Sequence, residues 1–259
     1  MKIRSSLLAL FAALCVASPN PSLQAAPIVQ TLATGDMTSS RFNSLFTPIA
    51  SAPTLSAAYQ FMRTPVSGMV ESQVFQGTGA AAGLYAYAYQ FVVNPVIDSS
   101  GQPTSLNSAS FAFNATPIAS NLIDGSSSNY SAYVVQDGAI GGIGAPSGGP
   151  SGVIQAPSAI TLMTGSSAKT LTVQYLDPRT MSGPLEAGAH SATIVVISTV
   201  PFTTQSVSLQ NADPQISYPI AYTPTGINVP EPSTILGWAA AISGLALFRL
   251  RNRRGRSLA

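Results

Sequence analysis

The stretch Leu84-Tyr85-Ala86-Tyr87-Ala88-Tyr89-Gln90-Phe91-Val92-Val93, closed by the turn signal Asn94-Pro95, decides the fold class of this chain. Because side chains alternate between the two faces of a strand, its three tyrosines share one face and its two alanines share the other. A row of rings backed by small side chains predicts a strand that is packed closely on one side. We therefore expect this stretch to be the central strand of the body.

Further strands are predicted on both sides of the central one. Alternation at Val70, Ser72 and Val74, closed by Gly77, predicts the strand before it. Downstream, short runs rich in β-branched and aromatic residues are separated by Asp-Gly, Asp-Pro and Ser-Gly turn signals. This pattern predicts an all-β fold, a single antiparallel β-sandwich or jelly-roll-like domain. The downstream strands are predicted at residues 108–114, 130–136, 159–163, 170–176, 192–198, 205–209 and 216–222.

Three segments of the body are less regular. Residues 39–46 fit a short helix. Residues 55–62 fit either a helix or a first strand. Their apolar spacing is that of a helix, but the segment is too short to distinguish the two. Residues 141–152 combine Gly, Pro and Ser without apolar periodicity, which predicts a long exposed loop.

The composition is poor in charge. Charged residues make up 8% of the chain, against about 25% in ordinary soluble proteins. Of the 11 basic residues, only Arg41, Arg63, Lys169 and Arg179 lie in the body, which is therefore mildly acidic. This balance excludes the basic surface of a nucleic-acid-binding protein. It is typical of exported, β-rich surface proteins.

Residues 1–25 are predicted to be a secretory signal peptide. Lys2 and Arg4 form a basic start, residues 7–17 form an apolar segment, and a small-residue cleavage site follows near Ala25. Such a leader implies that the Sec export machinery and signal peptidase act on the chain. The exported domain is then expected to begin at residue 26 and to end at residue 226.

Cys15 is the only cysteine and lies inside the predicted leader. A lipobox needs a small residue immediately before its cysteine, and Leu14 stands there instead, so lipid attachment is not expected. The mature protein would contain neither a disulfide nor a cysteine-ligated metal site.

Residues 227–259 form a tail with three ordered parts. A rigid box of Pro230, Glu231 and Pro232 comes first, and the apolar segment 235–248 follows it. That segment would make about 21 Å of helix, which is short for a transmembrane span of roughly 20 residues. Arginines at its end can extend the span and orient the C-terminus toward the cytoplasm. This cluster consists of Arg249, Arg251, Arg253, Arg254 and Arg256.

The tail resembles the PEP-CTERM protein-sorting domain found in exopolysaccharide-producing bacteria. The resemblance implies that Pro230, Glu231 and Pro232 are recognised by an exosortase, a membrane-embedded transpeptidase-like enzyme. It also implies an inner-membrane-anchored precursor that is cut near the box and transferred to the cell surface or the extracellular matrix. The alternative from the residues alone is an ordinary C-terminal anchor that is not processed.

The body offers few residues for catalysis. His190 is the only histidine, and no Gly-x-Ser-x-Gly elbow accompanies it, so a lone histidine just before a strand is expected. Glu71 and Glu186 are the only glutamates of the body, and its aspartates mostly occupy turns. A hydrolase built on paired carboxylates therefore ranks third among the hypotheses. We expect no catalytic site and no cofactor.

Two binding hypotheses remain open on the residues. Oxygen ligands for calcium are available in the turns, but their spacing is not that of an EF-hand, and solvated turns are the simpler interpretation, so no metal site is predicted. Tyr85, Tyr87 and Tyr89 form either a buried core row or an exposed sugar-stacking platform, with exposure as the deciding observation. The calcium-type residues are Asp98, Asp124, Asn129 and Asp137, and Tyr130 and Tyr133 extend the aromatic set.

The function expected from the sequence is structural. We expect an exported cell-surface or extracellular-matrix protein, sorted through its C-terminal tail and without catalysis. The alternative is a carbohydrate-binding module that acts on exopolysaccharide.

Overall fold

The computed structural model describes residues 27–61, 64, 67–98, 101–165, 169–177, 182–211 and 216–225. The predicted signal peptide, 1–25, and the predicted sorting tail, 227–259, lie outside these residues.

The described body consists mostly of β-strands. Its one α-helix, α1, spans Ser39–Leu45, and a short 3-10 helix spans Gly79–Ala81. The strands are β1 (Ile28–Thr31), β2 (Thr34–Asp36), β3 (Phe46–Pro48), β4 (Leu55–Tyr59), β5 (Gly68–Gly77), β6 (Tyr85–Val93), β7 (Ser108–Ala112), β8 (Ala132–Val135), β9 (Ala159–Thr164), β10 (Thr170–Gln174), β11 (Thr193–Ser198), β12 (Phe202–Gln210), β13 (Ile216–Ser217) and β14 (Ile220–Pro224).

The strands form two seven-stranded sheets. Sheet A has the order β1-β9-β10-β7-β12-β13, with β14 also on β12, and sheet B has the order β2-β8-β11-β6-β5-β3, with β4 also on β5. The predicted all-β fold is confirmed. The predicted antiparallel pairing holds for the described strand pairs except β2 and β8, which are parallel. These two strands are far apart in sequence, so no hairpin forces them to run in opposite directions.

The central strand predicted from the sequence is β6. It lies inside sheet B between β5 and β11, and every residue from Ala86 to Val93 is buried. The face that carries Tyr87 and Tyr89 belongs to the main core, which residues of both sheets share. There the ring centroid of Tyr89 lies 4.4 Å from that of Phe111 on β7. The row of tyrosines therefore joins the two sheets.

The other face of β6 lies in a second hydrophobic cluster. Ala86 and Ala88 contribute to it together with Phe42 of α1 and Phe75 of β5. The rings of Phe42 and Phe75 meet edge to face, with centroids 4.9 Å apart. Because the alanines are small, covering segments can pack close to the sheet on this side. The central strands of sheet B, β8, β11 and β6, are thus buried on both faces.

Two of the less regular segments form a helix and a strand. The helix predicted at residues 39–46 is confirmed as α1, which begins after Thr38, whose side chain accepts a hydrogen bond from the Arg41 amide at 3.1 Å. Residues 55–62 contain the strand β4, because antiparallel pairing with β5 replaces the ambiguous helical spacing.

The loop at residues 141–152 is not fully exposed, which corrects the sequence prediction. Ile143 is buried in the second cluster, and the amide of Gly142 donates a hydrogen bond to Oε1 of Gln73 at 2.8 Å. Gly141 has a positive φ of 55°, and a Cβ there would lie 2.6 Å from the ring of Phe75. Glycine therefore lets the first part of this loop lie directly on sheet B.

The close packing over the alanine face predicts the effect of enlarging Ala88. Ala88→Leu should lower the free energy of unfolding by about 1–3 kcal/mol, because added methylenes do not fit a filled cluster. Denaturant unfolding of the purified chain measures this change. Ala58→Leu on the exposed side of β4 is the matched control and should stay within about 0.5 kcal/mol. Equal effects of the two changes would show that the alanine face is not closely covered.

Candidate functional site

The tyrosine row is the first candidate site. Tyr87 and Tyr89 have 0% exposure, and Tyr85 is half-buried. The hydroxyl of Tyr87 donates to the Val200 carbonyl and that of Tyr89 donates to the Tyr222 carbonyl, each at 2.7 Å. A ring without an exposed face cannot stack on a sugar. The sugar-platform interpretation is therefore wrong for Tyr87 and Tyr89, and their burial supports the core interpretation.

Burial also changes the acidity of the phenols. It raises the pKa of five tyrosines above the ordinary value of about 10, because the charged phenolate loses its hydration. For Tyr133 burial raises the pKa to about 12, opposed by a hydrogen bond from the backbone of Leu122. The five tyrosines are Tyr59, Tyr87, Tyr89, Tyr133 and Tyr175.

His190 has a structural environment. It is half-buried and forms isolated β-bridges with Val92 of β6 and with Ser147 of the loop at residues 141–152. Its amide donates to the Ser147 carbonyl at 2.9 Å. Its backbone thus joins the end of β6 to the loop. Within the described ranges, no group of three His, Cys, Asp or Glu side chains is close enough to hold a metal ion.

The aspartates that the sequence offered as calcium ligands have local partners. Asp98 accepts a hydrogen bond from the amide of Gln102 at 3.0 Å within its own turn. Asp124 forms an ion pair with Arg41 at 2.9 Å. Asp98 is thus bound within its turn and Asp124 is paired with a side chain of α1, and the two do not form a shared ligand set among the described residues. Asn129 is exposed in the segment between β7 and β8.

Asp137 lines a shallow cleft beside the start of α1. Its carboxylate accepts a hydrogen bond from the amide of Ser39 at 2.7 Å. The cleft has a volume of about 180 Å³, and Asp36 is the second carboxylate on its wall. Because one of the two carboxylates already binds the first turn of the helix, this arrangement serves the helix end.

A buried polar network was not predicted from the sequence. Gln90 is fully buried on the alanine face of β6. Its Nε2 donates to the Gly144 carbonyl at 3.1 Å and to Oγ1 of Thr193 at 3.2 Å. Together with the bond from Gly142 to Gln73, these contacts hold the loop against sheet B. One feature of the sequence could have indicated this network: Gln90 is the one polar residue on the face of β6 that also carries Ala86 and Ala88.

The predicted sorting residues lie outside the described residues. These are the box Pro230, Glu231 and Pro232 and the cluster Arg249, Arg251, Arg253, Arg254 and Arg256. In the part of the chain that the structure does describe, no helix has the length and apolar character needed to cross a membrane.

Comparison of the chain with protein-family models, with curated proteins and with solved structures found no match.

Truncation of Tyr87 tests its place in the core. Tyr87→Ala should cost on the order of 3–5 kcal/mol of unfolding free energy, because it opens a cavity between the sheets. Tyr87→Phe keeps the ring and should cost only about 1 kcal/mol, for the lost bond to the Val200 carbonyl. Denaturant unfolding measures both. The exposed Tyr218→Ala is the control, and an equally small effect of Tyr87→Ala would contradict the core assignment.

The raised tyrosine pKa values predict alkaline unfolding. The folded state holds the phenol protons more tightly than the unfolded chain, so this stability is complete below about pH 10 and is lost as the pH rises further. As the pH is raised, the free energy of unfolding should fall and the phenolate absorbance of the buried tyrosines should rise. The two changes should occur in the same pH range. Tyr89→Phe should make the decline of stability with pH shallower. Full ionisation of all tyrosines in a chain that keeps its near-ultraviolet dichroism would contradict this expectation.

Proposed function

We propose that this chain is an exported cell-surface or extracellular-matrix protein with a structural, non-catalytic role. In this proposal the Sec machinery and signal peptidase deliver the body, and an exosortase recognises Pro230, Glu231 and Pro232. The precursor is held in the inner membrane by residues 235–248 and the arginines that follow. The body is one jelly-roll-like domain between the cleaved leader and a C-terminal transmembrane helix.

The observation that carries the proposal is the order of the tail. A proline-bounded glutamate, an apolar segment and five arginines follow one another in the last part of the chain. An arginine cluster directly after an apolar segment keeps that end of the chain on the cytoplasmic side of a membrane. A proline on each side of a glutamate is a pattern that favours extended backbone, in which an enzyme could reach the side chain.

The character of the body supports the same proposal. Its core is stabilised by aromatic packing and by phenol-to-carbonyl hydrogen bonds, and the only cysteine, Cys15, precedes the described residues. Stability of this kind does not depend on the redox state of the compartment. The low charge of the body suits contact with neutral surfaces better than electrostatic capture of a partner.

Substitution of Glu231 tests the sorting proposal. Glu231→Ala should leave export intact and block maturation, because the tail loses its only acidic group, so an uncut precursor should accumulate in the inner membrane. Cell fractionation and intact-mass measurement detect it. The matched control is Glu186→Ala, an exposed glutamate of the body, which should mature normally. A Glu231→Ala protein that reaches the surface at the normal mature mass would refute the proposed recognition.

A further inference from the structure

A row of hydroxyl-bearing residues crosses sheet A at right angles to its strands. Each member is the direct cross-strand partner of the next, from β1 through β9, β10 and β7 to β12. With neighbouring strands about 4.8 Å apart, five spacings make a track of about 24 Å. This hydroxyl row consists of Thr31, Thr161, Thr172, Ser110, Ser208 and Tyr218.

Tyr218 completes the row through the register of the last strands. Ser217 pairs with Leu209 and Ile220 pairs with Ser206, so Tyr218 stands opposite Ser208. The ring of Tyr218 is 64% exposed. It therefore stands at one end of the row with its face open to solvent.

The hydroxyl row lies on the outer face of sheet A. The residues next to its members in sequence, such as Leu162, Leu171 and Val207, are buried in the main core. Because side chains alternate, the row points away from that core. Its members are half-buried or exposed, and Ser110 and Thr172 are joined by a hydroxyl–hydroxyl hydrogen bond of 3.0 Å. The centre of the row is therefore ordered and accessible.

This face carries no charge. None of the seven strands of sheet A contains Asp, Glu, Lys or Arg, whereas sheet B contains Asp36 and Glu71. Beside the hydroxyl row runs a parallel row with exposed apolar members, including Val29, Met163 and Ile220. The face thus combines a polar track with an apolar edge.

The chemistry of the face selects one class of partner. Hydroxyl groups both donate and accept hydrogen bonds, and sugar hydroxyls need partners of that kind. A charged polymer would find no ion-pairing group on these strands, and a protein partner would find few of the aromatic or arginine anchors that dominate protein interfaces.

We propose that the outer face of sheet A binds a neutral, extended polysaccharide along the hydroxyl row. The apolar ring face of Tyr218 stacks on one sugar at the end of the track, and the threonine and serine hydroxyls bind the sugars that follow. The inference names the ligand class and the surface for the surface role proposed above. It rests on that role only for the place in which the chain would meet the polysaccharide. Binding itself is measured on the purified chain and does not depend on sorting.

The test uses the full chain, purified in mild detergent, and affinity electrophoresis in gels that contain a soluble neutral β-glucan or, separately, alginate. The wild type should be retarded by the neutral glucan and not by the anionic alginate. Tyr218→Ala and the double change Thr161→Val with Thr172→Val should each weaken retardation about tenfold. Valine keeps the shape and the strand preference of threonine and removes only its hydroxyl.

Matched controls separate the face from general effects. Ile97→Ala removes an apolar side chain of similar exposure from a loop, and Thr47→Val repeats the threonine change on the exposed side of β3 in sheet B. Both should bind like the wild type. The inference is overturned by a wild type that the neutral glucan does not retard, or by row variants that bind as well as the controls. A face that instead joins two copies of the chain, seen as a dimer that the double change separates, would overturn it as well.

Discussion

The fold depends on the division of β6 between a face of large rings and a face of small side chains. Tyr87 and Tyr89 reach into the core between the sheets, while Ala86 and Ala88 let helix and loop segments lie close to the backbone. A strand with bulky residues on both faces would hold these covering segments away from the sheet. The alternation therefore allows both faces of β6, at the centre of sheet B, to be buried.

Phenol hydroxyls extend this arrangement to the end of the body. Tyr89 donates to the carbonyl of Tyr222, and the amide of Tyr222 donates to Oγ of Ser72 at 3.1 Å. These two bonds tie β14 to β6 and β5 of sheet B, although β14 pairs with β12. The residue that leads out of the body toward the tail, Thr225, is held to the Pro201 carbonyl. Hydrogen bonds to sheet B and to the turn between β11 and β12 thus hold the last described residues of the body.

Local pattern predicted the strands and could not predict which residues meet. The alternation in residues 84–93 predicted both the strand and its two faces. The helical spacing of residues 55–62 was overridden by pairing with β5, and the glycine-rich loop was anchored by Gln73 and Gln90, which are distant in sequence. The hydroxyl row was invisible in the sequence, because its members come from six segments and only the strand register aligns them.

The outer face of sheet B is covered by other segments of the chain, whereas the outer face of sheet A is exposed. The composition of the two faces explains this difference. The outer face of sheet B is apolar, with Phe75, Ala88 and Val195, so exposing it to water would be unfavourable and the chain covers it. The outer face of sheet A instead carries the hydroxyl row beside a few exposed apolar side chains, and hydroxyl groups are stable in contact with water. Such a face is also free of the charges that would bind a hydration shell strongly. A partner rich in hydroxyl groups can therefore replace its water at little desolvation cost.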